Sequence, residues 1–347
     1  MEFLTIGQTN IKVSRIALGT WAIGGWMWGG SDEKESIDTV HAALDAGINL
    51  IDTAPVYGFG RSEEIVGKAV KAYGSRDKIG ISTKAGLEWK NGNIFRNSQP
   101  ARLAFEVEDS LRRLQTDYID IYFVHWPDQW VPFEETARLM QALLDQGKVR
   151  AIGVSNYDVD QMEAFRTATD LHLCQPPYNI FERKIEKDII PYCRRNEITL
   201  MTYGALCRGL LSDSMSRDRN FKGDDLRQTD PKFQKPRFSE YLHAVERIKR
   251  LAEEKYGKAL LPTAVRWILD QGVDIAIWGG RRPDQLQPVK EVFGWSIDAQ
   301  FKKRVEKIVS ETITDPVGPE FMAPPTDNRA HSPLNDSGGS DDLQKVL

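Results

Sequence analysis

The chain has 347 residues, 41% of them hydrophobic and 28% charged, with a formal net charge of −4. This is the composition of an ordinary globular protein with ample material for a core, and its slight acidity gives no reason to expect nucleic-acid or polyanion binding. No apolar run approaches membrane length and no basic patch precedes an apolar segment at the start, so we expect a soluble cytoplasmic protein with no membrane partner.

Taken in order, residues 3–6 and 11–14 flank a Gly-Gln-Thr-Asn turn and predict a small hairpin. Residues 16–19 read as the first buried strand, followed by a Gly- and Trp-rich loop from 20 to 30. Ser31 or Asp32 caps a helix that runs to Ala46 and stops at Gly47. The unit then repeats. A strand over 49–52 is followed by a helix over 62–70 capped by Ser62, and a third strand over 78–83 by a helix over 99–114. Strand 118–124 precedes helix 133–146; strand 151–154 precedes a helix from Asp158 to Ala168; strand 173–175 precedes a helix centred on 186–195. The seventh strand is 199–203 and the eighth 275–278, with a helix over 283–293 behind it.

Eight short apolar strands alternating with helices imply parallel βα units, and eight closes a (β/α)₈ barrel, which uses about 250 residues as one unit. An open doubly wound sheet is the alternative, but no G-x-G-x-x-G follows the first strand. Two regions depart from the repeat. Residues 212–237 are polar and charged, and their place after the seventh strand predicts a long loop over the C-terminal barrel face. Two helices follow, over 238–256 and 261–271. After a last helix near 298–310 we expect extended chain packing on the barrel from about residue 315. The expected domain is 1–329, with a flexible tail over 330–347.

In a parallel barrel the active site lies at the carboxyl ends of the strands. The second, third and fourth strands end in Asp52 with Tyr57, Lys84 and His125, which aim an acid, a phenol, an amine and an imidazole at one space. A Tyr with a pKa of about 10 is a poor proton donor at neutral pH. A nearby Lys84 ammonium is expected to lower that pKa, with Asp52 holding Lys84 charged and in place. His125 would hydrogen-bond a substrate carbonyl or the phenol, and the assembly would protonate an oxygen as something adds to its carbon. The three cysteines, Cys174, Cys193 and Cys207, have no CxxC or metal-ligand spacing, and no metal site is expected. Carbonyl reduction needs a hydride donor, so a cofactor is implied. Trp21, Trp26, Trp28, Phe59, Trp89, Trp126 and Trp130 lie on loops near this face and imply an apolar-walled pocket.

The motifs Asp52-Thr53-Ala54-x-x-Tyr57-Gly58, Ser82-Thr83-Lys84, His125-Trp126-Pro127, Gly153-Val154-Ser155-Asn156 and Gln175-x-x-Tyr178-Asn179 resemble those of the aldo-keto reductase family. The resemblance covers nearly the whole barrel, roughly residues 3–293. It implies a catalytic tetrad of Asp52, Tyr57, Lys84 and His125, with Tyr57 the general acid, and NADP(H) as cofactor. Gly19, Thr20, Trp21 and Asp52 would border the cofactor; Ser155, Asn156 and Gln175 would hold its carboxamide; Tyr203 would stack on the nicotinamide. Leu206, Arg208 and Gly209 would wrap the pyrophosphate, and Gly279, Arg281, Arg282 and Gln285 would take the adenosine phosphate, with the two arginines favouring NADPH. Trp21, Tyr57, His125 and Trp126 are the expected substrate contacts.

The resemblance leans toward bacterial and plant enzymes acting on small aldehydes and sugar-like hydroxyaldehydes, working as monomers or weak homo-oligomers. A redox-sensing or regulatory subunit that binds the same cofactor with slow turnover is the other class it allows. The sequence departs from the family at Gly204-Ala205, where many relatives have Ser-Pro, and at Pro288-Val289, where relatives carry a group that reads adenine.

Overall fold

The computed structural model describes residues 1–326; the proposed tail over 330–347 lies outside them. Twelve strands form three sheets among these residues. β1 (Phe3–Thr5) and β2 (Lys12–Ser14) pair antiparallel as the expected hairpin. The closed parallel barrel is built from β3 (Ile16–Gly19), β4 (Leu50–Asp52), β5 (Gly80–Ala85), β8 (Ile121–Val124), β9 (Ile152–Ser155), β10 (Leu173–Gln175), β11 (Thr199–Thr202) and β12 (Ile275–Gly279). A second hairpin, β6 (Leu87–Lys90) with β7 (Asn93–Arg96), rises from the end of β5.

Strand side chains alternate between the barrel interior and the surrounding helices. Ala17, Leu50, Ile121, Phe123, Ala151, Leu173, Met201, Ile275 and Ile277 fill the interior, joined by Ile6, Ile11 and Val13 of the N-terminal hairpin, which plugs the bottom. Ile16, Leu18, Ile51, Ile81, Tyr122, Val124, Ile152, Val154, Cys174 and Leu200 face the helices in a second, larger cluster. Continuing the inward parity along each strand reaches Asp52, Lys84, His125, Ser155, Gln175 and Tyr203 at the upper rim. The period of two therefore selects these residues as the ones that point into the mouth.

The helices begin and end close to the expected places. Asp32 caps Glu33–Asp45 by accepting from the Glu35 N–H, and Asp158 opens Val159–Arg166 in a capping box with Gln161. Three details differ. Ser62 lies inside the helix Arg61–Tyr73; its hydroxyl instead accepts from Thr53 and bonds Thr20, joining the loops above β3 and β4. Residues Pro283–Val292 wind as a 3₁₀ helix with Pro288 inside, a position where an α-helical hydrogen bond has no donor. The third strand extends through Lys84, so that lysine belongs to the barrel wall.

Candidate active site

Above the barrel, two cavities meet. One, of about 570 Å³, is lined by Trp21, Trp26, Tyr57, His125, Trp126, Ser155, Asn156, Gln175 and Tyr203, with Leu87, Asn93, Ile94 and Phe95 of the second hairpin and Phe321, Met322, Pro324 and Pro325 of the C-terminal segment. The other, a groove of about 520 Å³, runs over the ends of β3, β11 and β12. Gly19, Thr20, Asp52, Leu206, Arg208, Gly209, Gly279, Arg281, Arg282 and Gln285 line it. Trp21, Tyr57, Tyr203 and Met322 belong to both. Every residue singled out for chemistry borders one cavity or the other, except Lys84, which lies fully buried beneath them.

Tyr57 is placed by close backbone packing. A Cβ at Gly24 would stand 2.6 Å from the Tyr57 carbonyl oxygen, and one at Gly58 (φ +68°) would stand 2.2 Å from the Gly24 carbonyl oxygen. Only glycine at both positions lets these two loops touch. The Tyr57 ring then stacks on Trp21, with centroids 5.8 Å apart at 20°, and meets His125 edge-on at 5.9 Å. Among the described residues the Tyr57 hydroxyl makes no hydrogen bond.

Beneath it, the Lys84 Nζ donates to both Asp52 oxygens, at 2.9 and 2.8 Å, and to the Thr53 carbonyl at 2.8 Å. Ser82 and Gln175 also donate to Asp52 Oδ1, at 2.8 and 3.0 Å. The ammonium sits 5.1 Å from the Tyr57 ring centroid with its three protons directed elsewhere. The expected lowering of the tyrosine pKa is therefore not found. Burial, then the charge of Asp52 and the neighbouring Tyr203, push the phenol well above its ordinary value. Burial also lowers Lys84 against the opposing pull of Asp52, and burial with the nearby Lys84 charge keeps His125 well below its usual range. At neutral pH the site thus holds a protonated phenol and a neutral imidazole.

Several predicted cofactor contacts are engaged within the protein. The Gln175 amide nitrogen donates to Asp52, the Ser155 hydroxyl to the Gln175 carbonyl, and the Tyr203 hydroxyl to Asn156 Oδ1. Arg208 lines the groove, but its guanidinium is already paired within the protein. It is buried in a cluster with Glu182 and Asp230, both at 2.5 Å, and Lys232 bridges from Glu182 (2.8 Å) to the Gly318 carbonyl (2.9 Å). The backbone N–H groups of Arg281 and Arg282 both donate to the Gln285 side chain. Arg281 reaches the Trp28 carbonyl at 2.7 Å, and Arg282 pairs with Asp284 at 3.1 Å.

The 212–237 segment folds over the groove, bringing Ser212, Met215, Arg219 and Arg227 to its lining. It is clasped to the loop after β3: the Asp224 carboxylate accepts from the N–H groups of Met27 (2.8 Å) and Gly29 (2.9 Å), and Leu226 N–H donates to the Met27 carbonyl. The sequence reading missed Arg219 and Arg227 as groove residues, although their place after the seventh strand marked the region. The groove suits a phosphate-bearing dinucleotide on its own chemistry. Arg219, Arg227, Arg281 and Arg282 line it, and the indole N–H groups of Trp21 and Trp28 are buried without partners among the described residues.

Residues 15–310 match the Aldo/keto reductase family. The chain is 59% identical over 327 residues to the aldo-keto reductase YhdN of Bacillus subtilis, covering 94% of this chain and 99% of that one. It is 37% identical over 303 residues to the NADH-specific methylglyoxal reductase of Escherichia coli, covering 83% and 92%. The glycerol dehydrogenase AKR11B4 from Gluconobacter oxydans superimposes with a TM-score of 0.84 at 52% identity, covering 92% of this chain and 99% of that one.

Proposed function

The chain belongs to the aldo/keto reductase family, and from that premise we propose that it reduces small uncharged aldehydes and ketones to alcohols with NADPH, hydroxyaldehydes such as glyceraldehyde among them. The observation that carries this reading is the position of Tyr57, whose ring borders both cavities where they meet. A nicotinamide cofactor, held in the groove by residues such as Arg281 and Arg282, would supply the hydride. Tyr57 hands its proton to the carbonyl oxygen as negative charge develops there. A raised phenol pKa keeps the donor loaded at neutral pH, and the alkoxide that forms is basic enough to take the proton. The neutral His125 imidazole orients the oxygen by one hydrogen bond. The buried Lys84 charge, held by Asp52 5.1 Å from the ring centroid, offsets only part of the cost that burial and Asp52 place on the phenolate left behind.

The preference for NADPH rests on Arg281 and Arg282 at the far end of the groove. Each already has a protein partner, so a 2′-phosphate would exchange contacts as well as add them. The net preference should be on the order of tenfold to a hundredfold, from charge-assisted bonds of about 1.5–3 kcal/mol each. Steady-state turnover of glyceraldehyde with each cofactor, and titration of both by tryptophan fluorescence, test the reading. Replacing both arginines with alanine should weaken NADPH and spare NADH. Equal binding of the two cofactors by the unaltered protein would overturn the NADPH assignment, and absent turnover with either would overturn the reductase.

A further inference from the structure

A knot of charged side chains, Arg208, Glu182, Asp230 and Lys232, lies buried beside the groove. Glu182 accepts from Arg208 (2.5 Å) and Lys232 (2.8 Å) on one oxygen and from Asn179 Nδ2 (2.7 Å) on the other. Asp230 accepts from Arg208 Nε at 2.5 Å and from the Lys232 backbone N–H at 2.9 Å. Burial pushes the Glu182 carboxyl up, but the Arg208 and Lys232 charges outweigh it and hold the group below its ordinary value.

The members of the knot come from separate segments that border both cavities. Glu182 lies on the loop after β10, Arg208 on the loop after β11, and Asp230 and Lys232 on the 212–237 cover. Arg208 lines the groove, and its guanidinium stands 5.5 Å from the ring of Phe321, which lines the substrate cavity. Lys232 reaches past the others and donates to the Gly318 carbonyl of the C-terminal segment at 2.9 Å. Other groups hold that segment on either side. The Tyr241 hydroxyl accepts from the Val317 N–H at 3.3 Å, and Arg96 donates to the Pro324 carbonyl at 3.1 Å. A buried set of opposite charges resists coming apart singly, because losing one member strands the charge of its partner. The cover can open along the exposed Asp224 clasp, but it cannot leave the C-terminal segment without breaking the knot.

We propose that Lys232 is a positioning residue that ties the cover of the groove to the middle of the C-terminal segment, so that filling the groove and filling the substrate cavity favour one another. This rests on the reductase reading above and adds to it a physical link between its two sites.

Amide hydrogen exchange tests the link in the unaltered protein. NADP⁺ or NAD⁺ alone, whichever binds more tightly, should slow exchange about fivefold or more across residues 315–321, none of which lines the groove, as well as across the cover. Lys232→Met keeps the stem and drops the charge. In that variant protection should be confined to the cover, and KM for glyceraldehyde should rise about fivefold with kcat changed less than about twofold. Should the single variant fail to fold, Lys232→Met with Glu182→Gln removes a carboxylate together with the cation, still lacks the bond to Gly318, and should behave in the same way. No protection of 315–321 in the unaltered protein would overturn the link and leave the reductase standing. So would unchanged protection and KM in the variant, even at a lower melting temperature, since the knot would then serve packing alone. Failure of the unaltered protein to reduce glyceraldehyde with either cofactor would instead remove the reductase reading beneath it.

Discussion

The corner beneath Tyr57 and the cover over the groove are both held by charged groups, in opposite ways. In the corner, Lys84 and Asp52 are sealed from solvent and project from neighbouring strands in register, Asp52 opposite Ser82. In the cover, Asp224 is exposed and grips main-chain N–H groups of a loop 197 residues earlier in the chain. The first arrangement cannot loosen without exposing a buried charge, whereas the second can part at the cost of three hydrogen bonds, two of them to the exposed Asp224 carboxylate. The residues proposed for chemistry are anchored to strands, and the cover over the groove is held by loops.

The largest effect should come from the centre of the sealed corner. Tyr57→Phe removes the proton donor without changing the packing, and carbonyl reduction should fall by roughly two to four orders of magnitude with cofactor affinity nearly unchanged. Near-normal turnover would take Tyr57 out of the role. Next, Lys84→Met leaves the Asp52 carboxylate buried without its cation. Breaking such a pair costs about 3–5 kcal/mol, which a denaturant titration would read directly. If the variant is as stable as the parent, the corner is wetter than its burial implies and the contrast with the cover fails. The smallest effect belongs to the clasp. Asp224→Ala should leave the chemical step alone and speed cofactor release several-fold, from the loss of exposed bonds each contributing about 0.5–1.5 kcal/mol. Stopped-flow release rates would measure it, and an unchanged rate would mean the segment does not gate the groove.

Much of this corner was legible in the sequence because it follows from a period of two. Each inward position on β4, β5, β8, β10 and β11 leads to a residue at the mouth, and the strand ends carried Asp52, Lys84, His125, Gln175 and Tyr203 openly. The second hairpin was missed although Asn91-Gly92 stands at its turn, flanked by Trp89 and Ile94; this dipeptide was the available signal. The direction of the Tyr57 pKa shift was not legible, because burial, its largest cause, depends on how the loops above β3 and β4 close over the ring. The pairing of the Arg208 guanidinium was not legible for a related reason, although Arg208 does line the groove. Its partners, Glu182 and Asp230, lie 26 and 22 residues away with no periodicity to connect them. Local pattern reveals which residues reach the rim, and long-range pairing decides which of them stay available there.

Met322 offers a practical consequence of the way the two cavities join. Its side chain borders both, at the end of the segment that Lys232 fastens through the Gly318 carbonyl. A single ¹³C-labelled methyl group on that thioether therefore senses both compartments. Its NMR resonance should move when either is filled and take a third position when both are, so one peak in a 347-residue protein would report the order in which ligands arrive.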